Sequence, residues 1–299
     1  MEFKRVRALI RLLDDPNRIV FEAVKAALLK EGVSVVPVLL DVRDQTPEGD
    51  MHKRIDEIIG RLQFADTHSA IIDWLEDGAD DLLYGAYLAA RFVYPDLEFT
   101  PINELVNRLW RELRLDVKDA RTPAERVRVI NTHFFETLGF RKNMEEPMSP
   151  RNNCINDVLD TRRGNHLTLA ILYCELCRRI GLPICCVSLP KVLILCYLND
   201  TVLRADDLLD VDDVLFYINP ANNGAILVMG DILTFLDQQN IDRDNSYYLP
   251  CSNSEVVKRL LINMLYAFTA AHDEDRMRDA KILIQTISNY IEQHKQAHD

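Results

Sequence analysis

Four of the seven cysteines lie between residues 174 and 186, and their thiols could bind a metal, act as a nucleophile or fill a core. Cys174 and Cys177 are spaced one helical turn apart and would share a face. Cys185 and Cys186 are adjacent in a predicted strand, so their side chains would point to opposite sides. A tetrahedral zinc site needs four converging ligands. The spacing therefore argues against a metal site, and we expect no metal and no cofactor.

A catalytic thiol must ionise, and the N-terminus of a helix favours the thiolate because its exposed N–H groups stabilise negative charge. Cys174 lies about two turns inside its predicted helix and is surrounded by Leu, Ile and Ala. A helix that is apolar nearly all round is buried, and burial among apolar groups raises a thiol pKa. We therefore expect these cysteines to fill a core.

Composition excludes several classes of partner. The net charge is −12, which disfavours nucleic acid and anionic membranes as partners. Residues 1–13 combine basic and apolar residues, but Arg11 interrupts the run and no cleavage site follows. The expectation is a cytoplasmic protein with reduced thiols. Residues 206–213 are rich in Asp, and because they lack the glycine and glutamate of a calcium loop we favour a solvated loop.

Helical periodicity dominates both ends of the chain. Residues 1–78 contain several short apolar stripes that must stack to be buried, and they resemble HEAT-type repeats. Residues 251–299 form a pair of apolar stripes separated by a polar turn, which resembles one tetratricopeptide-type unit. The middle segment, residues 79–250, begins with further helices. Thr122-Pro123-Ala124-Glu125 has the pattern of a capping box and marks the start of one of them.

The pattern changes after Gly181. Residues 183–189, 192–198 and 214–218 are short, rich in β-branched and aromatic residues, and separated by turn residues, so they are predicted to be strands. We therefore predict an α+β protein that is mostly helical, with a small antiparallel sheet packed on the helix of residues 165–180.

The segment NNCINDVLDTRRG of residues 152–164, the following helix and Gly181-Leu182-Pro183 resemble the bacterial SirB-type family, which is built on a transglutaminase-like, papain-like core. Gly139 to Asn143 and Asn219 to Gly224 resemble the motifs that flank this segment in the family. The resemblance covers about residues 80–250, and the terminal helix pair resembles the tetratricopeptide-like tail. It implies the fold rather than the function.

In enzymes of this kind a cysteine opens the central helix, a histidine on the next strand is the base, and an aspartate orients the histidine. The resemblance places these three positions at His166, Val192 and Asn219. Valine cannot transfer a proton, and asparagine cannot stabilise an imidazolium as a carboxylate does. The helix N-terminus is expected to favour neutral His166. No other histidine occurs between His166 and His272.

The main hypothesis is therefore a non-catalytic module that binds another protein or has a regulatory role. One alternative is a cysteine-dependent acyl-transfer enzyme or hydrolase with an altered site. It would use Cys154, expected to be exposed ahead of the central helix, with His133 or His166 as base. Another alternative is a small-ligand binder in the vestigial cleft. The residues predicted to bind are Asn153, Arg162, Arg163, Gly164, His166 and Asn219.

Overall fold

The computed structural model describes residues 2–199 and 209–296, and its contacts divide the chain into two compact units, Met1–Asp73 and Trp74–Asp299. The terminal helix pair belongs to the same unit as the middle segment. Our division at residues 78 and 250 remains a prediction. The first part of the Asp-rich stretch, residues 206–208, lies outside the described residues.

The first unit contains helices α1 (Glu2–Arg11), α2 (Arg18–Lys30), α3 (Val36–Gln45) and most of α4 (Asp50–Glu76). The predicted apolar stripes meet in one core, with Ile10, Leu28 and Ile58 almost fully buried. The Nη1 of Arg54 donates to the carbonyls of Leu13 and Asp15, at 2.6 and 2.9 Å, and so fixes the turn between α1 and α2. The helices predicted here are confirmed.

The second unit is mostly helical. Its helices are α5 (Leu82–Val93), α6 (Phe99–Val117), α7 (Pro123–Asn131), α8 (Ile155–Thr161), α9 (His166–Arg179), α10 (Met229–Gln238), α11 (Asn253–Ala270) and α12 (Glu274–Gln296). The capping box at Thr122 is present, with the Glu125 carboxylate accepting from the Thr122 N–H at 3.1 Å. The helix that begins at this capping box is α-helical only as far as Asn131, and Thr132–Thr137 continues it as a π-helix. Gly139 ends it at φ 75°.

Within residues 2–199 and 209–296, the strands form two small sheets. β1 (Arg141–Lys142) and β2 (Arg163–Gly164) pair in parallel. β3 (Ile184–Leu189), β4 (Val192–Leu198), β5 (Val214–Asn219) and β6 (Ala225–Leu227) form an antiparallel sheet in sequential order. The fold is therefore α+β and mostly helical, as predicted.

The antiparallel sheet is covered on both faces. One face packs on α9, where the Cys174 thiol donates to the Ile184 carbonyl of β3 at 3.3 Å. The other face packs on α10 through a cluster that includes Val187, Ile194 and Ile232. Side chains alternate between faces along each strand. Because α9 lies between the sheet and other helices, residues 167–177 of this helix are all buried.

Helices α11 and α12 pack on each other, and α11 also packs on α5. The side chain of Asn253 in α11 donates to the carbonyls of Ala79 and Asp80, both at 3.0 Å. Among the described residues, no helix is long and apolar enough to cross a lipid bilayer.

Candidate functional site

The start of α9 is fixed by its own side chains. Asn165 is the N-cap, and its Oδ1 accepts from the N–H groups of Leu167 and Thr168 at 2.9 and 3.0 Å. In return the Asn165 N–H donates to the Thr168 Oγ1 at 3.1 Å. This reciprocal arrangement satisfies N–H groups that a helix start leaves unpaired. The first residue of the helix is His166, which agrees with the predicted register.

A network of asparagines holds the preceding loop against this helix start. The Asn165 Nδ2 donates to the Asn153 Oδ1 at 2.6 Å, and the Thr168 Oγ1 donates to the Asn152 carbonyl at 2.9 Å. The Asn143 Nδ2 donates to the Asn152 Oδ1 at 2.8 Å. Asn152 and Asn153 are almost fully buried. Asn153 therefore supports the helix start, and the sequence analysis missed the roles of Asn143, Asn152 and Thr168.

His166 is electrically neutral at pH 7. Burial, together with the nearby cations Arg259 and Lys142, lowers its pKa to about 4. The direction of this shift is the one expected from the sequence, but its causes are burial and these two cations rather than the helix N-terminus. Arg259 reaches this region from α11, where its Nη1 donates to the Ser188 Oγ and the Leu189 carbonyl, each at 2.9 Å.

We expect His166 to remain neutral until strongly acidic pH. Its folded pKa of about 4 lies below the ordinary 6.5, so the unfolded chain binds more protons between these values. The contribution to stability is complete above pH 6.5 and is lost as the pH falls towards 4, with a total on the order of 3 kcal/mol. An NMR titration of the ring protons measures the pKa directly. A midpoint near 6.5 would contradict this description of the site, and His166→Gln assigns the resonance.

The predicted base position, Val192, opens β4 but does not face α9. Val192 pairs with Leu189 and packs into the cluster shared with α10. The neighbouring Leu193, which is fully buried, lies on the α9 face because a shift of one residue changes the face of a strand. Neither side chain can transfer a proton. A shift of one residue in the match to the family motif, from Val192 to Leu193, would therefore still leave this position without a base.

Asn219, the third predicted position, ends β5. Its side chain accepts from the N–H of Ala221 at 3.1 Å and starts the turn that follows the strand. The turn closes at Gly224, whose φ is 69°. A Cβ at Gly224 would lie 1.9 Å from the Asn131 Oδ1, so the glycine lets this turn approach α7. The amide of Asn219 thus has a structural role in the turn.

The predicted binding residues Arg162, Arg163 and Gly164 lie between α8 and α9. Arg162 has φ 59° and places its guanidinium 4.7 Å from the centre of the Phe140 ring. Arg163 forms an ion pair with Glu145 at 2.5 Å. Gly164 is buried, and a Cβ there would lie 2.5 Å from the Thr168 Oγ1. Arg162 and Arg163 therefore contact partners within the protein, although the buried Nη1 of Arg162 has no hydrogen-bond partner among the described residues.

Cys154 is fully buried, which contradicts the expectation that it is exposed. It caps α8 at the turn from the preceding 3₁₀ helix, so its side chain points inward. Burial, together with the nearby Asp157 carboxylate, raises its pKa to about 12. The thiol is thus protonated at neutral pH and poorly placed to act as a nucleophile.

The four clustered cysteines fill the core, as predicted. Cys174, Cys177 and Cys186 are buried, and burial raises the pKa of Cys177 well above its usual range. Cys185 is half-buried and points towards the opposite face of β3. Among the described residues, no group of three or more His, Cys, Asp or Glu residues is arranged to hold a metal ion.

His133, the other candidate base, lies in the π-helical segment. Its Nδ1 is 2.6 Å from the Asp116 Oδ2, and its buried Nε2 has no partner among the described residues. The pair has the geometry of a carboxylate-oriented histidine. No local sequence pattern indicates this pair, because the two residues lie on separate elements, α6 and the π-helical segment after α7.

A central helix packed on an antiparallel sheet, with motif residues at the helix start and at two strand ends, is the arrangement that the resemblance implies. A family model described as "Transglutaminase-like superfamily" matches residues 100–262, more than half of the chain. The chain belongs to the transglutaminase-like superfamily. The matched segment runs from α6 into α11, so the transglutaminase-like core includes the asparagine network, α9 and the whole antiparallel sheet.

Sequence comparison also finds relatives in bacteria. Two UPF0162 proteins from strains of Xylella fastidiosa, Temecula1 and 9a5c, are 31% identical over 153 residues. These matches cover 51% of this chain, and the chain spans only half the length of these relatives. The UPF0162 protein PA3419 of Pseudomonas aeruginosa is 25% identical over 225 residues, covering 74% of this chain and 77% of the relative. No solved structure matches the chain significantly.

Proposed function

We propose that this chain is a non-catalytic transglutaminase-like protein that acts as a protein-interaction or regulatory module in the cytoplasm. The observation that carries the proposal is the set of side chains at the three catalytic positions. His166, Val192 and Asn219 supply neither a thiol, nor a base on the strand, nor a carboxylate. The neutral His166 lies near two cations, an environment that opposes the imidazolium a catalytic base must form.

The rest of the core has the contacts that the transglutaminase-like fold needs, and these contacts do not require a catalytic reaction. The residues that position α9, notably Asn153, Asn165 and Thr168, form a complete hydrogen-bond network. In this proposal the chain is a SirB-type protein, with HEAT-like helices in residues 1–78 and a tetratricopeptide-like pair in residues 251–299. Stacked helices of these types present surfaces that bind other proteins. The partner would be a protein rather than a nucleic acid or a membrane.

The alternative of an altered cysteine enzyme has less support. Its candidate nucleophile, Cys154, is buried and has a pKa of about 12. Its candidate base, His133, bonds Asp116 in a different part of the core. A small-ligand site near Asn153, Arg163, His166 and Asn219 also has less support, because the side chains of Asn153, Arg163 and Asn219 bond within the protein.

A direct assay tests the absence of catalysis. The purified full chain is incubated with a glutamine-containing donor peptide and a fluorescent amine, and both amide transfer and hydrolysis are followed. We expect rates equal to those of Cys154→Ser and His166→Ala, because none of these groups supplies a thiolate or a base. Turnover that is lost in either variant would refute the proposal. A papain-like enzyme with an intact triad is the positive control.

A further inference from the structure

The antiparallel sheet has one edge that the chain itself covers and one edge that it leaves open. At the β3 edge, Val187 forms a β-bridge with Pro250, and the Cys251 N–H donates to the Cys186 carbonyl at 2.8 Å. At the opposite edge, β6 pairs with β5 on one side, and no other strand in the described part of the chain pairs with it. Such an edge offers main-chain N–H and C=O groups to an incoming strand.

Apolar side chains are exposed along the open edge. Leu227 packs into the cluster shared with α10. Its neighbours Ile226 and Val228 therefore point to the other face of the sheet, because side chains alternate along extended chain. There they are 38% and 59% exposed, and Leu215 of β5 is 45% exposed. Edge strands are usually protected by charged residues or proline, and Ala225–Leu227 contains neither.

A small cavity lies beside the exposed Leu215. Its volume is about 270 Å³, and its lining includes Leu215, Phe216 and Met229. Cavities that bind small molecules are typically larger, roughly 300–1,000 Å³. The size and the apolar lining therefore suit one side chain of a bound segment better than a separate small ligand.

The segment that forms this edge is acidic. Residues 209–242 contain six aspartates and no lysine, arginine or histidine. Asp212 is exposed and contributes to the lining of the cavity. Pairing with a second copy of the chain through this edge would bring two acidic segments together, and like charges across an interface cost free energy. A basic segment of another protein would be attracted instead.

We propose that the open edge of β6 binds an extended segment of another protein, with apolar residues at alternate positions and Lys or Arg at its ends. The segment would add a further strand to the sheet through main-chain hydrogen bonds with Ala225–Leu227. Its apolar side chains would cover Ile226 and Val228 and enter the cavity beside Leu215. The inference rests on the proposed function, because it specifies how this chain would bind a partner protein.

The test titrates the isotope-labelled full chain with the capped peptide Arg-Ile-Thr-Val-Thr-Val-Arg. We expect saturable NMR shifts confined to residues 211–217 and 225–229, with slower amide exchange in β6. Two matched peptides separate the contributions. N-methylation of the three central residues removes main-chain donors, and replacement of both Arg residues by Glu reverses the charge. Each change should weaken binding at least about tenfold.

Variants of the chain localise the effect. Ile226→Lys and Val228→Lys place a cation on exposed positions of the edge, and each should weaken the Arg peptide about tenfold. Asp212→Asn should weaken it about two- to threefold, as expected for an exposed charge. The matched control is Tyr266→Lys, because Tyr266 is 69% exposed on α11, and it should have no effect. Thermal melting by circular dichroism checks that each variant is folded.

Several outcomes would overturn the proposal. They are equal binding of the N-methylated or the Glu peptide, unchanged affinity in Ile226→Lys, and no shift at millimolar peptide. Sedimentation equilibrium tests the other occupant, since a native dimer that Ile226→Lys dissociates would assign the edge to a second copy and also overturn it. Turnover in the amide-transfer assay would refute the absence of catalysis without affecting this edge, so the two proposals fail separately.

Discussion

A thiol introduced by His166→Cys is expected to react with iodoacetamide about a hundredfold faster at pH 7 than any native cysteine of the folded chain. The new thiol would open α9, whose N–H groups favour the thiolate. It would also lie near Lys142 and Arg259, the two cations that lower the pKa of His166. These cations disfavour a positive imidazolium and favour a negative sulfur. Burial, the largest cause of the lowered His166 pKa, opposes the thiolate, and we expect the helix start and the two cations to outweigh it.

The magnitude follows from thiolate fractions. Burial raises the pKa of Cys154, Cys185 and Cys251 to about 12. A pKa of about 8 at position 166 gives roughly 10⁴ times more thiolate at neutral pH. A thiolate of lower pKa is also a weaker nucleophile, and this halves the logarithm of the rate gain. The expected alkylation rate is therefore about a hundredfold higher rather than 10⁴-fold higher.

Mass spectrometry of the alkylated chain gives the rate at each cysteine. The matched control is Gln285→Cys, which places an ordinary thiol on the exposed face of α12. The His166→Cys thiol should exceed this control at pH 6 to 7, and adding Arg259→Gln should reduce the difference. A rate below the Gln285→Cys control throughout that range would show that the cleft does not stabilise an anion. All native thiols should react fast only in denaturant.

The largest expected loss of stability follows from Glu175→Ala. Glu175 in α9 is fully buried and pairs with Arg178 at 3.0 Å and with Arg179 at 2.6 Å. Arg179 also donates to the Asn107 and Asn103 Oδ1 atoms of α6, at 2.6 and 2.9 Å. Removing the carboxylate leaves the mostly buried guanidinium of Arg179 uncompensated, which costs about 3–5 kcal/mol.

Urea unfolding of the full chain, followed by circular dichroism, measures this loss. Glu175→Gln keeps the shape and one acceptor oxygen, so its cost should be smaller, about 1–3 kcal/mol. Arg178→Ala removes the more exposed partner, whose side chain is 55% exposed, and should cost less than about 1 kcal/mol. If Glu175→Ala were no more destabilising than Arg178→Ala, the contacts of Glu175 and Arg179 would not stabilise the packing of α9 on α6.

Local features of the sequence determined most of the fold. Strands were predicted at residues 183–189, 192–198 and 214–218, and the structure has them at Ile184–Leu189, Val192–Leu198 and Val214–Asn219. Thr122 was also recognised from the sequence as an N-cap. These features depend on residues a few positions apart, so capping patterns and periodicity reveal them. The family resemblance, through the spacing from Gly181, placed His166 at the start of α9, and His166 is the first residue of that helix.

Only the tertiary structure decided what surrounds those positions. Cys154 looked exposed because it precedes a helix, but the 3₁₀ turn before it directs the thiol into the core. Val192 faces α10. Which face of the sheet packs on α9 and which on α10 is decided by the packing of the helices, not by the local sequence of the strand. Arg259 of α11 hydrogen-bonds Ser188 of β3, and Asp116 of α6 bonds His133 of the π-helical segment. Such contacts join side chains that are distant in sequence, and no local pattern encodes them.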